Sequence, residues 1–154
     1  MAILALTELR YDILTRMSRA LMLAILLAGC TPLPPTPQDV QAKKFEAVPD
    51  KAVIYVVRDS LDFSDVAAQI YVGETLLPAT YPGTYYRWVV PAGKHTIVGY
   101  GQDSGTITVE VQQGRIYFVQ QRVTYLRVIN SSFELVSEAQ GRAAVLRSVL
   151  LAAP

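Results

Sequence analysis

Apolar and polar positions change their rhythm several times along this chain. Residues 20–29, "ALMLAILLAG", are apolar or small without interruption, and Arg16 and Arg19 stand just before them. Residues 31–51, "TPLPPTPQDVQAKKFEAVPDK", hold five prolines among small and polar residues, which predicts an extended, semi-rigid spacer rather than a packed element. From residue 52 the period is two. Segments 52–58, 68–73, 85–90, 95–101, 106–112 and 115–123 are short, rich in β-branched and aromatic residues, and separated by glycine, proline and aspartate. Alternation is cleanest in 106–112, with Ile107, Val109 and Val111 on one face and Thr106, Thr108, Glu110 and Gln112 on the other. That pattern predicts a sheet with one buried and one wet face. Gly114 and the Pro91-Ala92-Gly93 run lie between such segments and read as tight hairpin turns, and Pro82-Gly83 repeats the device.

The last stretch returns to a helical period. Ser137 with Gln140 three residues on forms a capping box, and Val145, Leu146, Val149 and Leu150 recur at helical spacing. Gly141 in the first turn weakens this helix by about 1 kcal/mol relative to alanine. A strand over 143–151 is the competing reading. The expected fold is mainly β, an antiparallel β-sandwich or open barrel of about seven strands with a C-terminal helix, spanning 52–151.

The apolar run matters for location. Ten residues are too few to cross a bilayer, which takes about 20, but suit the core of a signal peptide, about 7–15 residues behind a basic flank. The run closes on Leu27-Ala28-Gly29-Cys30, and Cys30 is the chain's one cysteine, so no internal disulfide can form. This tetrapeptide resembles the lipobox of bacterial lipoproteins. The resemblance implies cleavage between Gly29 and Cys30, a diacylglyceryl group on the Cys30 thiol and a lipidated new N-terminus. Membrane attachment through more than one acyl chain is stable where a single chain is marginal. Thr31, where an aspartate would signal retention in the inner membrane, favours the outer membrane and its periplasmic face. Residues 1–16 are long for a leader, and Met17 is an alternative start. The expected organisation is therefore a signal peptide at 1–29, a tether at 30–51 and a β-domain at 52–151.

Charge narrows the partners. The chain carries 14 basic and 13 acidic side chains, and from Cys30 onward eleven of each remain. A neutral mature chain lacks the electrostatic footprint of a nucleic-acid binder.

Residues able to carry chemistry are few. His95 is the only histidine, so a triad or a two-histidine metal site is not expected, and its place after a turn suggests that it bonds a backbone group or covers a sheet edge. Ser104 in "GQDSGT" lies between two strands, where a nucleophile elbow needs a strand and then a helix, so a turn is expected. Asp59, Asp62 and Asp65 are spaced by three and lack the calcium-loop pattern; they read as a solvated loop, with a weak cation site as the alternative and a carboxylate-dependent hydrolase as the enzymatic rival. No cofactor and no metal are expected. The chain has nine tyrosines and one tryptophan, and three of those tyrosines stand with the tryptophan in "TYPGTYYRWVV". Alternation puts Tyr85, Arg87 and Val89 on one face and Tyr86, Trp88 and Val90 on the other. With Tyr81 nearby, Tyr85 and Arg87 facing outward would form an aromatic-plus-guanidinium surface for a glycan or another envelope protein, against the alternative of core packing.

The order "AVIYVVR … AQIYVGE … GTYYRWVVPAGKHTI … TVEVQQGRIYFVQQRV … FELVSEAQGRAAV" resembles an uncharacterised family of bacterial lipoproteins, domain of unknown function 2846, over roughly residues 50–150. The tracts that carry it are the opening strand, Tyr85 with Pro91-Ala92-Gly93-Lys94-His95, Gly114-Arg115-Ile116-Tyr117-Phe118, and Leu135 with Glu138. It implies a β-sandwich-like domain on a lipid anchor and no particular activity. The expectation is a lipid-anchored, non-enzymatic binding or interaction module, with a structural accessory of an envelope complex as the other non-enzymatic reading.

Overall fold

Every residue of the first strand, β1 (Ala52–Arg58), is buried. This strand lies mid-sheet in the middle of three layers, so both of its faces are covered and its sequence, "AVIYVVR", is apolar almost throughout. The computed structural model describes residues 34–62, 64–103 and 105–151. Its compact unit containing the sheets begins at Pro35. After β1 come β2 (Ile70–Val72), β3 (Thr75–Leu76), β4 (Thr84–Val90), β5 (Gly93–Gly99), β6 (Thr106–Val111), β7 (Ile116–Tyr125), β8 (Ile129–Val136) and β9 (Val149–Leu150). Helix α1 (Pro37–Ala42) precedes β1, and helix α2 (Glu138–Leu146) stands between β8 and β9.

The strands form a five-stranded sheet, β8-β7-β1-β4-β9, and a four-stranded sheet, β3-β2-β5-β6. The two make a mainly β, sandwich-like fold, as the alternation predicts, and the sheets do not close into a barrel. Ile54, Val56, Tyr86, Val90 and Val119 of the larger sheet meet Ile70, Val72, Ile97, Val109 and Val111 of the smaller. Val53, Tyr55, Val57, Tyr85 and Phe118 point the other way, under Ala42, Phe45, Ala144 and Val145 from the helical side. Burying a Val, Ile or Phe side chain is worth about 1.5–3 kcal/mol, so the two faces of β1 anchor both interfaces.

Three expectations are corrected. The larger sheet is mixed, not antiparallel throughout: β7 runs parallel to β1 and β9 parallel to β4. The turns at Gly93 and Gly114 are not hairpins, because β4 and β5, like β6 and β7, lie in different sheets. Glycine serves there all the same, with φ of 133° and 69°, since a Cβ would strain both crossings. Finally, the described part of the 30–51 segment is not an extended spacer. Thr36 caps α1 by accepting from the Asp39 N–H at 3.1 Å, and Pro37 sits in the first turn, where no intrahelical N–H is lost. Asp39, Ala42 and Phe45 are buried against the sheet. Phe45 takes φ 54°, a left-handed conformation that seats its ring 5.5 Å from Tyr55 and 5.9 Å from Phe118.

Helix α2 forms behind the expected capping box, with Ser137 and Gln140 bonding reciprocally. The C-terminal alternatives are both realised in part, since the helix ends at Leu146 and a two-residue strand follows at Val149–Leu150. Gly141 faces the Phe118 ring so closely that an added Cβ would overlap both its Cβ and its ring. Gly141→Ala is therefore expected to destabilise the fold by about 1–3 kcal/mol through overpacking, although helix propensity alone favours alanine by about 1 kcal/mol. Chemical denaturation of the purified variant checks the sign; a variant as stable as the parent contradicts this packing.

Candidate functional site

The sheet edge at β9 and the start of α1 enclose a cleft of about 790 Å³. Its wall includes Thr36, Gln41, Glu46, Arg87, Leu150 and Leu151. Asp39 holds this region together. Its carboxylate accepts from the Tyr85 hydroxyl at 3.0 Å and the Leu150 N–H at 2.9 Å, and pairs with Lys43 at 2.8 Å. Burial alone would push the Asp39 carboxyl up, but the bonds from Lys43, Leu150 and Tyr85 outweigh it and hold the group below its ordinary 3.8. One side chain thus ties α1 to β4 and β9. Beneath it, the Tyr55 hydroxyl donates to the Ala42 carbonyl at 2.6 Å.

The proposed aromatic surface does not assemble. Tyr85 is 0% exposed, sealed between the sheet and α1, so it offers no ring to a ligand. Alternation correctly separated Tyr85 from Tyr86, but both faces of β4 are covered here, so both tyrosines are buried. Tyr81 is exposed in the turn before β4, where its N–H and carbonyl are both engaged with the Thr84 side chain. Arg87 is the one member of the trio that faces a cavity, the cleft beside β9. With Glu46 near it and Pro37, Ala42, Leu150 and Leu151 around it, this cleft offers a cation and a carboxylate in a largely apolar wall. Such a lining suits retention of a ligand with an apolar body and a polar end.

The aspartate cluster is structural where it was expected to be solvated. Asp59 is buried and pairs with Arg147 at 2.7 Å, joining the end of β1 to the residue that caps α2. Burial raises the Asp59 carboxyl, yet the Arg147 guanidinium and the Leu61 N–H more than offset it, leaving it below its ordinary value. Asp62 accepts from Arg58 Nε at 2.7 Å and from the Val123 N–H at 3.1 Å. Only Asp65 is exposed. A second cleft of about 430 Å³ lies beside Asp59 and Asp62, walled also by Gln120, Arg122 and Thr124. Among the described residues no group of three or more His, Cys, Asp or Glu is placed to hold a metal ion.

His95 bonds a backbone group, as its position suggested: Nε2 lies 2.8 Å from the Pro91 carbonyl, and its ring meets Trp88 edge-on at 5.1 Å. Gly29, Cys30 and Ser104 lie outside the described residues. The polar groups that sequence reasoning missed are the buried ones. Arg58 is fully enclosed, and Gln121 spans the core between Thr80 and Ser131 at 2.9 and 3.0 Å. Asp103 accepts from the Ser131 and Gly105 N–H groups at 2.7 and 2.9 Å, pinning the β5–β6 loop to β8. No helix among the described residues is long and apolar enough to cross a membrane. No family model matches the chain, and no curated protein matches it.

Proposed function

We propose that this chain is a lipid-anchored module of the bacterial cell envelope that works by binding, held at the periplasmic face of the outer membrane by acyl chains on Cys30. The observation that carries this reading is the succession of Arg16 and Arg19, a ten-residue apolar run and Leu27-Ala28-Gly29-Cys30. The compact unit begins at Pro35, so only residues 31–34 separate it from that cysteine. At no more than about 3.6 Å per residue, the tether spans at most roughly 18 Å. A lipid on Cys30 therefore holds the domain near the bilayer, closer than a spacer running to residue 51 would.

The cleft beside Arg87 supports binding as the mode of action. Ion pairs engage Asp59 and Asp62, which favours binding over a hydrolase built on those carboxylates. Acyl anchoring predicts that the wild-type chain floats with membranes through a density gradient and is released by detergent. A Cys30→Ala variant that begins at residue 30, so that no apolar leader remains on it, is expected to lose that attachment almost completely while keeping its folded circular-dichroism spectrum. Membrane flotation of that folded variant at the wild-type level overturns the proposal.

A further inference from the structure

Exposed apolar surface gathers where β7 turns into β8. Leu126 is 93% exposed, Tyr125 56% and Val128 46%. Tyr125↔Ile129 closes the β7–β8 ladder, so residues 126–128 form the tip of the hairpin. β1 ends at Arg58, and its parallel ladder with β7 stops at Val57↔Gln120, while β7 runs on to Tyr125. At about 3.3 Å per residue, residues 121–125 carry the tip roughly 16 Å beyond that last pair. Arg122 and Arg127 lie on the arm, both exposed; no acidic residue occurs in sequence from Arg122 to Phe133, and the acidic groups near the arm, Asp59 and Asp62, sit at its base beside Arg122 and Val123.

Leucine and valine at an exposed tip, a tyrosine at its base, Arg122 behind it and Arg127 between the two apolar residues, its long side chain able to reach back to the phosphates, suit a bilayer interface. Apolar side chains favour the acyl boundary, tyrosine the headgroup level and arginine the lipid phosphates. We propose that the β7–β8 tip dips into the surface of an anionic membrane, with Leu126 and Val128 entering and Arg122 and Arg127 facing the headgroups. The proposal rests on the anchor at Cys30. Three residues bury too little surface to hold a protein on a membrane alone, but a tethered domain meets the bilayer at high effective concentration. The tip then acts as a second contact that fixes the domain's orientation.

The test uses the lipidated full chain on vesicles of phosphatidylglycerol and phosphatidylcholine. Leu126→Cys is labelled with an environment-sensitive dye, the Cys30 sulfur being blocked by its lipid. A blue shift and quenching by nitroxide-bearing lipids are expected. The same dye at Gln113→Cys, at the opposite end of β7, is expected to stay aqueous. Vesicles of phosphatidylcholine alone, or the Arg122→Ser/Arg127→Ser pair, should weaken the shift at 126. If the protein floats with the vesicles but the dye at 126 stays aqueous, or if both positions are quenched alike, the tip contact is overturned and the anchor stands. Failure to float overturns the anchor and the tip contact with it.

Discussion

Arg58→Met is expected to lower the free energy of unfolding by about 3–5 kcal/mol, a large fraction of what a domain of this size has. The guanidinium is fully buried at the end of β1. Its Nε donates to Asp62, its Nη1 to the Val66 and Thr80 carbonyls at 2.7 and 3.0 Å, and its Nη2 to the Ser64 carbonyl. Methionine fills similar volume but leaves three carbonyls and a carboxylate, 6% exposed, without their cation. An unpaired buried charge costs far more than the pair contributes, so most of the loss comes from Asp62. Arg58→Met/Asp62→Asn should recover part of it. Denaturant unfolding reads both variants, and a single-variant loss under about 1 kcal/mol contradicts the clamp.

The second large effect is alkaline. Tyr55, Tyr85 and Tyr86 are all buried, and their hydroxyls donate to the Ala42 carbonyl, the Asp39 carboxylate and the Pro78 carbonyl. Burial pushes Tyr86 up to about 12. It raises Tyr55 too, with Arg87 offsetting part of the rise, and Tyr85 further still because Asp39 adds its negative charge. Each folded value lies above the unfolded value of 10, so these groups contribute their full stability below pH 10. That contribution is lost as pH rises above 10, because the unfolded chain ionises first. For Tyr85 and Tyr86 the loss by pH 11 is about 3 kcal/mol, and Tyr55 adds to it in the same direction. Denaturant unfolding at pH 8 and 11 should show it, with a smaller drop for Tyr86→Phe. Unchanged stability, or early tyrosinate absorbance in the folded protein, contradicts the sealed environment.

Those tyrosines show where sequence reading succeeded and where it stopped. Period-two alternation placed Tyr86, Trp88 and Val90 on one face and found the wet face of β6, because both follow from backbone geometry alone. Alternation cannot reveal a third layer. The layer over Tyr85 includes α1, and the prolines around it spoke for a spacer. Thr36, Pro37 and Asp39 do form a cap, a first-turn proline and an acidic first turn, a signal that composition overrode. β8 was hidden by Asn130, Ser131 and Ser132, a polar run in which Ser131 is buried because Gln121 and Asp103, both distant in sequence, bond to it. Parallel pairing of β1 with β7 depends on contacts 63 residues apart in sequence, as from Val53 to Ile116, which no local pattern encodes. Gly141 looked like a weak point in a helix and is a close-packing site, a distinction made only by Phe118.

The aspartates illustrate the limit for chemistry. Spacing by three placed Asp59 and Asp62 in one loop but could not show that Arg147, 88 residues away, and Arg58 would claim them. For the candidate binding surface, sequence found Arg87 but not its neighbours, because the cleft is shared by α1 and β9, two elements far apart in the chain.

Lipid attachment at Cys30 is the claim on which location, tether length and the membrane-facing tip all depend. Intact-mass spectrometry of the protein purified from its membranes measures it directly. The expected species starts at residue 30 and carries the added mass of a diacylglyceryl group with a further acyl chain on the amine. A species that retains residues before Cys30, or whose Cys30 is an unmodified thiol, contradicts the account.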